Sequence, residues 1–574
     1  MKKPLLSEMT LREKIGQMLA PMQWDVYGKD EYNYDFSKSD WGVVKKILDK
    51  EGFGTIRGEQ IGLYFADPDN DESVQAHDVT DEGLNNWFPF RVDPASYRKF
   101  LEKQARLEKI PPLVGGDCPT GGSNVFEKLS TTVNAPAIGA CDSEELTFKL
   151  AASVARELRH AGINWRWAPV LDLGNRNETA VLRTFAMDDP ERTVRLSKAY
   201  IDGMQSQGVA ATAKHFPSLD RSEWRDSHFS PVMNHSTMEE WWAEQGPVYQ
   251  EIINHGVYSI MVGHQAFPAA DDTVINGKYI PSTLSKKIVT DLLKKEMHFD
   301  GVVITDGIGM ASLFSLLPYE ELIVGLVNAG NDVILGAKLP SGDIIERAVL
   351  DGRIPMERID DGCRRVLDMK EKLGMFEDGY YDDPSYSIEE CIENTNKINL
   401  EIAKRSITLV RDRNNALPLD AKEIKNVSII LSTHSDKFVT AAEALAEAFR
   451  ERGMSVKMQR RLSGLDDMNE VARSSDLIVY AAFVGVHAPA GAMRLVGEEC
   501  RTFYHAFKAG KEKSVGVSFG YPYIHYDTMD NADVFLNAYN MNPEVMRAFV
   551  GAIFGDFEIV GNSPVLLEPR ANTR

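Results

Sequence analysis

Eight short apolar runs, each followed by a polar or helical stretch, order roughly the first 340 residues of this chain. They read IGQMLAPM, GFGTIRG, PPLVGGD, INWRWAPVLDL, GVAATAKHF, VYSIMVGH, FDGVVITDG and NDVILGA. Between most of them lie stretches with helical spacing, such as PASYRKFLEKQARLEK, SEELTFKLAASVARELRHAG and PERTVRLSKAYIDGMQSQG. The last two close near Gly162 and Gly208, as helix ends tend to. Strand–helix alternation pairs strands in parallel. Eight repeats of it favour a closed barrel over an open sheet. The expected fold class is therefore α/β, with an N-terminal (β/α)8 TIM-type barrel over residues 1–375.

The pattern changes at Gly374. GMFEDGYYDDPSYS is rich in Gly, Asp and Tyr with little periodicity, and residues 376–400 read as a linker. Over residues 401–574 a second set of runs follows SITLVRDRNNALPL: NVSIILST, SVKMQ, SDLIVYAAFV, KSVGVSFG and ADVFLNAYN. These predict a C-terminal open α/β sandwich domain with a partly parallel sheet. GVSFG lacks the G-x-G-x-x-G spacing, so no dinucleotide is expected, nor any other cofactor.

A length of 574 residues exceeds one ordinary core, which agrees with two domains. The net charge of -21 disfavours a nucleic-acid backbone or an anionic membrane as partner, because both attract basic patches. Charges at Glu8, Arg12, Glu13 and Lys14 interrupt the first twenty residues, so neither a signal peptide nor a membrane span is expected. The five cysteines are scattered without a C-x-x-C pair, which indicates neither a disulfide framework nor a zinc knuckle. A cytoplasmic location follows as the expectation.

The barrel runs end on Asp117, Asp172, His215, His264 and Asp306. In β/α barrels that end carries the active site. Asp306 closes a strongly apolar run and glycines follow it, leaving room for a ligand. A carboxylate there can attack carbon, act as a base, bind a metal or simply cap the next helix. The loop KHFPSLDRSEWRDSHFSPV adds Asp226 and His228, two apart. In an extended segment they share a face, and the carboxylate would fix the imidazole tautomer and raise its basicity. A solvent-exposed pair is the plainer reading. Two acidic, aromatic stretches, at 23–42 and 64–90, fall on loops at the same end. They suit either a wall for a sugar ring or packing against the second domain.

PPLVGGD, APVLDL, VLRTFAMDDP, KHFP, DSH, MVGH and GVVITDG occur in this order over most of residues 110–310. Together they resemble glycoside hydrolase family 3, and within it the β-N-acetylglucosaminidase branch of two-domain type. The resemblance implies a retaining exo-acting glycosidase, most simply a β-N-acetylhexosaminidase on a small carbohydrate substrate. Asp306 would be the nucleophile, and Asp226 with His228 the acid/base dyad. Asp117, Arg183, Lys214, His215 and His264 would hold the sugar, and no metal is implied. The chain departs from the branch at DCPTGGSN, at SLD after KHFP, and at Gly307. Other functions are a β-N-acetylglucosaminide phosphorylase, since a His repels phosphate less than a Glu does, or a β-glucosidase or β-xylosidase using Glu498 or Glu499. A sugar-binding protein on a decayed barrel is the non-enzyme alternative. A mobile loop would let His228 swing in over bound sugar.

Overall fold

The computed structural model describes residues 2–21, 45–47, 49–50, 53–57, 93–118, 121–124, 126, 128–174, 182–223, 225–380, 385–433, 437–460, 462, 464–485, 495, 514–527 and 532–567. The aromatic stretches at 23–42 and 64–90, and Glu498 and Glu499, lie outside the described residues. The chain divides into two compact units. One comprises Met1–Thr131, Thr147–Asp172 and Ser197–Thr395, the other Thr132–Leu146, Leu173–Leu196 and Asn396–Arg574.

In the first unit the strands are β1 (Leu19–Ala20), β2 (Thr55–Arg57), β3 (Leu113–Gly116), β4 (Trp165–Arg166), β5 (Ala210–Phe216), β6 (Ser259–Val262), β7 (Val274–Ile275), β8 (Lys278–Tyr279), β9 (Val302–Thr305) and β10 (Ile334–Leu335). One parallel sheet runs β2-β3-β4-β5-β6-β9. A parallel bridge from Ile304 to Val333 continues it to β10, which pairs in parallel with β1. At the remaining seam the Gly54 amide donates to the Gly16 carbonyl at 2.7 Å. A Cβ on Gly54 would stand 2.3 Å from Gln17 Cα, so the close approach needs glycine there. All eight apolar runs thus become barrel strands, in order.

Leu113, Trp165, Trp167, Met261, Ile304 and Leu335 share one core cluster, the packed layer expected inside such a barrel. The Trp165 indole donates to Thr212 Oγ1 at 2.7 Å, which satisfies its N–H where water is excluded. Strands β7 and β8 form an antiparallel hairpin inserted between the sixth and seventh barrel strands. Its turn is Asn276-Gly277, both at positive φ (50° and 77°). This Asn-Gly turn signal stands in the sequence as VINGKY, outside the eight-run pattern.

The second unit holds β11 (Thr408–Asp412), β12 (Asn426–Thr433), β13 (Ser455–Gln459), β14 (Leu477–Phe483), β15 (Ser514–Ser518) and β16 (Val534–Asn537). Their order is β11-β16-β15-β14-β12-β13. β11 is antiparallel to β16, and the other neighbours are parallel. One core cluster of this unit gathers Ile430, Ile478, Tyr480, Val484, Tyr523 and Phe535 with Leu182 and Met187. Ile388–Ser406, most of it inside the expected linker, is a 19-residue helix.

Back in the barrel, Asp332 lies fully buried just ahead of β10. One carboxylate oxygen accepts from Lys294 Nζ at 2.7 Å and Arg358 Nη2 at 2.6 Å. The other accepts from the Val303 amide of β9 at 2.9 Å. Burial brings the Lys294 ammonium down to about 8. Removing the carboxylate leaves the strand amide unpaired and two cations sharing Asp361 alone. Asp332→Ala should therefore lower the stability of the barrel transition by about 3–5 kcal/mol in denaturant titrations.

Candidate active site

β9 ends at Thr305, and Asp306 is the next residue. Its amide donates to the Val262 carbonyl of β6 at 2.8 Å, which fixes the main chain at the barrel mouth. One carboxylate oxygen accepts from the Gly307 amide at 2.7 Å. The other faces His215 Nε2 at 4.0 Å. A Cβ placed on Gly307 or Gly309 would meet nothing within 4 Å, so the chain after the carboxylate borders open space. Burial alone would raise the Asp306 carboxyl. The charges of His215, His264, His228 and Lys214 outweigh it and hold the group below its ordinary range. An ionised carboxylate beside open space is what attack on carbon requires.

β5 supplies the neighbouring cations. Its register against β6 jumps between Lys214 and Phe216, and the two consecutive side chains reach carboxylates at adjacent strand ends. Buried Lys214 forms an ion pair with Asp117, the residue after β3. His215 Nδ1 lies 2.7 Å from Asp172 Oδ2, and the His215 amide donates to Asp172 Oδ1 at 3.3 Å. Asp172 is buried as well, which would raise its carboxyl. The His215 charge and the hydrogen bonds from His215 and Ser218 bring it below the usual carboxylate range instead.

His264 follows β6 and is buried. Its Nε2 is 2.9 Å from the Gly307 carbonyl, which can only accept, so this nitrogen carries the proton. Its Nδ1 lies 3.0 Å from Thr283 Oγ1, which donates to it. Burial pushes the imidazole below its ordinary range, against the opposing pull of Asp306. His264 thus braces the main chain directly after Asp306 with both ring nitrogens engaged.

Asp226 and His228 occupy the loop between β5 and the helix Met238–His255. Asp226 Oδ1 is 2.6 Å from His228 Nδ1 and also accepts from the His228 amide at 2.9 Å. A carboxylate can only accept, so Nδ1 donates to it and the orientation of the partly exposed ring is fixed. The His228 carbonyl accepts from the Ala311 amide at 3.1 Å, which ties the dyad to the segment that follows Asp306.

The structure therefore brings Asp117, Lys214, His215, His228, Asp226, His264 and Asp306 to one end of the barrel. Arg183 falls in the second unit, half-buried. Sequence reasoning named Asp172 as a strand end without giving it a task, and it orients His215. Thr283 carried no signal, because its contact depends on the chain folding back after the β7–β8 hairpin. Among the described residues, no group of three or more His, Cys, Asp or Glu is placed to hold a metal ion. No helix among them is long and apolar enough to cross a membrane.

The profile of the glycosyl hydrolase family 3 N-terminal domain matches residues 10–369. This chain belongs to glycoside hydrolase family 3. It is a glycosidase acting on β-linked sugars. Among family relatives, a β-N-acetylglucosaminidase/β-glucosidase of Cellulomonas fimi is 28% identical over 79% of this chain and 84% of its own length. A β-hexosaminidase of Stenotrophomonas maltophilia strain K279a is 32% identical over 32% of this chain and 52% of its own. Of solved structures, the β-glucoside phosphorylase BglX bound to 2FGlc superposes with a TM-score of 0.80 at 25% identity, covering 98% of this chain and 95% of that one. The family 3 β-N-acetylglucosaminidase of Paenibacillus sp. str. FPU-7 shares the fold, with a TM-score of 0.74 at 22% identity over 97% and 99% of the two chains.

Asp172→Asn keeps the shape beside His215 but removes its charge. Without its anionic partner the His215 ring is held less firmly beside Asp306 and offsets its burial less well, so the Asp306 carboxyl should rise. kcat/KM should fall and its acidic limb move to higher pH in a pH–rate profile. An unchanged profile would remove Asp172 from the charge balance.

Proposed function

We propose that this family 3 glycosidase is a retaining, exo-acting β-N-acetylhexosaminidase with Asp306 as nucleophile and Asp226–His228 as its acid/base dyad. The observation that carries the reading is the 2.6 Å contact of His228 with Asp226, on a turn bonded to the segment that follows Asp306. In the first step Asp306 attacks the anomeric carbon as the bond to the leaving oxygen breaks. His228 passes its Nε2 proton to that oxygen, and Asp226 stabilises the imidazolium beforehand. In the second step His228 takes a proton from water, the water oxygen attacks the same carbon, and the Asp306 carboxylate departs. Asp117, Lys214 and His215 face the sugar in this reading. His264 contributes by holding Gly307. The relative from Cellulomonas fimi, named for N-acetylglucosamine and glucose, supports a gluco-configured sugar.

A second reading, phosphorolysis, is favoured by the likeness to a β-glucoside phosphorylase over nearly the whole of both chains. A His acid/base presents no anion to an incoming phosphate, which a Glu would repel. Aryl β-glycosides of N-acetylglucosamine, glucose and xylose, each assayed with and without phosphate, separate these readings. Free N-acetylglucosamine as the product in both buffers is the expected result. Sugar 1-phosphate in phosphate buffer would establish the second reading. Asp306→Ala should lose more activity than the ~10²–10⁴-fold typical of losing an acid/base group, with the fold intact by circular dichroism. Near wild-type turnover would move the nucleophile elsewhere.

His228→Ala should slow alkyl glycosides far more than nitrophenyl glycosides in single-turnover measurements. Protonation of the departing oxygen matters most when that oxygen is basic. Equal losses across leaving groups would mean that His228 only holds the sugar.

A further inference from the structure

The turn that carries the dyad is closed by a carboxylate outside it. Glu223 is almost fully buried, with a side chain only 2% exposed. One of its oxygens accepts from the Arg225 amide at 3.0 Å and from Arg225 Nε at 2.8 Å. The other accepts from Arg225 Nη2 at 2.5 Å and from the Met233 amide at 3.1 Å. A single carboxylate thus joins the residue just before Asp226 to one well beyond His228. Burial alone would raise the Glu223 carboxyl, but Arg225 and the two amides bring it below its usual range, so it stays ionised.

The two ends of the turn are anchored differently. At the exit, the Ala266 amide donates to Val232 at 3.0 Å and the Asn234 amide donates to Ala266 at 2.8 Å, docking the chain on the extension of β6. At the entry, the Glu223 carboxylate links Arg225 to that docked exit. Between them the Asp226 carbonyl accepts from the Phe229 and Ser230 amides at 3.1 and 3.0 Å, which folds the Asp-Ser-His stretch into a compact turn. The Glu223 carboxylate thus ties the residue before Asp226 to the exit docked on the β6 side, alongside the Asp220–His235 and Asn234–Ser218 contacts.

We infer that Glu223 is a positioning residue for the reaction: it clasps the entry of the dyad turn to its exit and so fixes where His228 delivers its proton. The inference rests on His228 being the acid/base group. Glu223 touches neither the sugar nor the reacting atoms. Its loss should act on proton delivery and spare sugar binding. A displacement of about an ångström at a catalytic group costs on the order of 10²-fold in rate.

The test compares Glu223→Ala, Arg225→Ala, His228→Ala and the Glu223→Ala/His228→Ala double variant in the full-length chain. Single-turnover glycosylation is followed with alkyl and nitrophenyl β-glycosides of the sugar that the panel selects. Glu223→Ala should slow the alkyl glycoside on the order of 10²-fold. It should slow the nitrophenyl glycoside much less and leave the affinity for an unreactive sugar analogue unchanged. The double variant should be no slower than His228→Ala alone, because the clasp works only through that ring. Arg225→Ala keeps both amide bonds of the carboxylate and should show the same leaving-group trend more weakly. It carries the test if Glu223→Ala does not fold. Losses that are equal for both leaving groups, or that add to those of His228→Ala, would overturn the clasp. So would a Glu223→Ala enzyme of wild-type rate. If His228→Ala itself shows no leaving-group trend, the acid/base assignment fails instead.

Discussion

A carboxylate at a barrel mouth can be both shielded from water and ionised only where something offsets its burial, because those demands oppose each other. Burial at the end of β9 disfavours the Asp306 anion, and the surrounding cations restore it. Each of these basic side chains is held in turn by a carboxylate of its own: Lys214 by Asp117, His215 by Asp172, His228 by Asp226. The site is thus a ring of charge pairs around a fourth carboxylate, in which each charge is offset by its neighbour. The paired residues come from the ends of different strands, so the arrangement exists only once the barrel has closed.

Much of this was legible before folding. The apolar runs named every barrel strand, because strands buried on both faces read as continuous hydrophobic stretches. The residues that leave those runs lie together at one end, because a barrel gathers its strand ends at one mouth. Other features were not legible. A hydrogen bond between Thr283 and His264, or between Glu223 and Met233, depends on how a loop returns, and no periodicity records that. The division of labour among the histidines was equally hidden. His264 stands at a strand end like His215, yet the Gly307 carbonyl and Thr283 use both of its nitrogens.

The loop after β5 shows how a polar stretch can be ordered without apolar packing. Asp220 accepts from the Ser222 amide at 2.6 Å and pairs with His235 Nδ1 at 2.8 Å, and Asn234 donates to the Ser218 carbonyl at 2.9 Å. The Trp241 indole donates to the Pro217 carbonyl at 2.9 Å. A sequence this rich in Asp, Arg and Ser suggests a mobile lid. Here its charges pair with one another, with Glu244 and with its own main chain.

The second unit has a consequence for how such chains can be recombined. Leu182 and Met187 pack in its core, and Arg192 donates to the Asn562 and Ser563 carbonyls at 3.2 and 3.1 Å. The Asn562 amide in turn donates to the Ala140 carbonyl at 2.9 Å. Leu182, Met187, Arg192 and Ala140 all precede the stretch between residues 376 and 400 that reads as a linker. A crossover placed in that stretch would therefore separate the C-terminal sheet from part of its own core. Descendants of such an exchange would inherit a mismatched seam, which favours the transmission of the chain as one hereditary block.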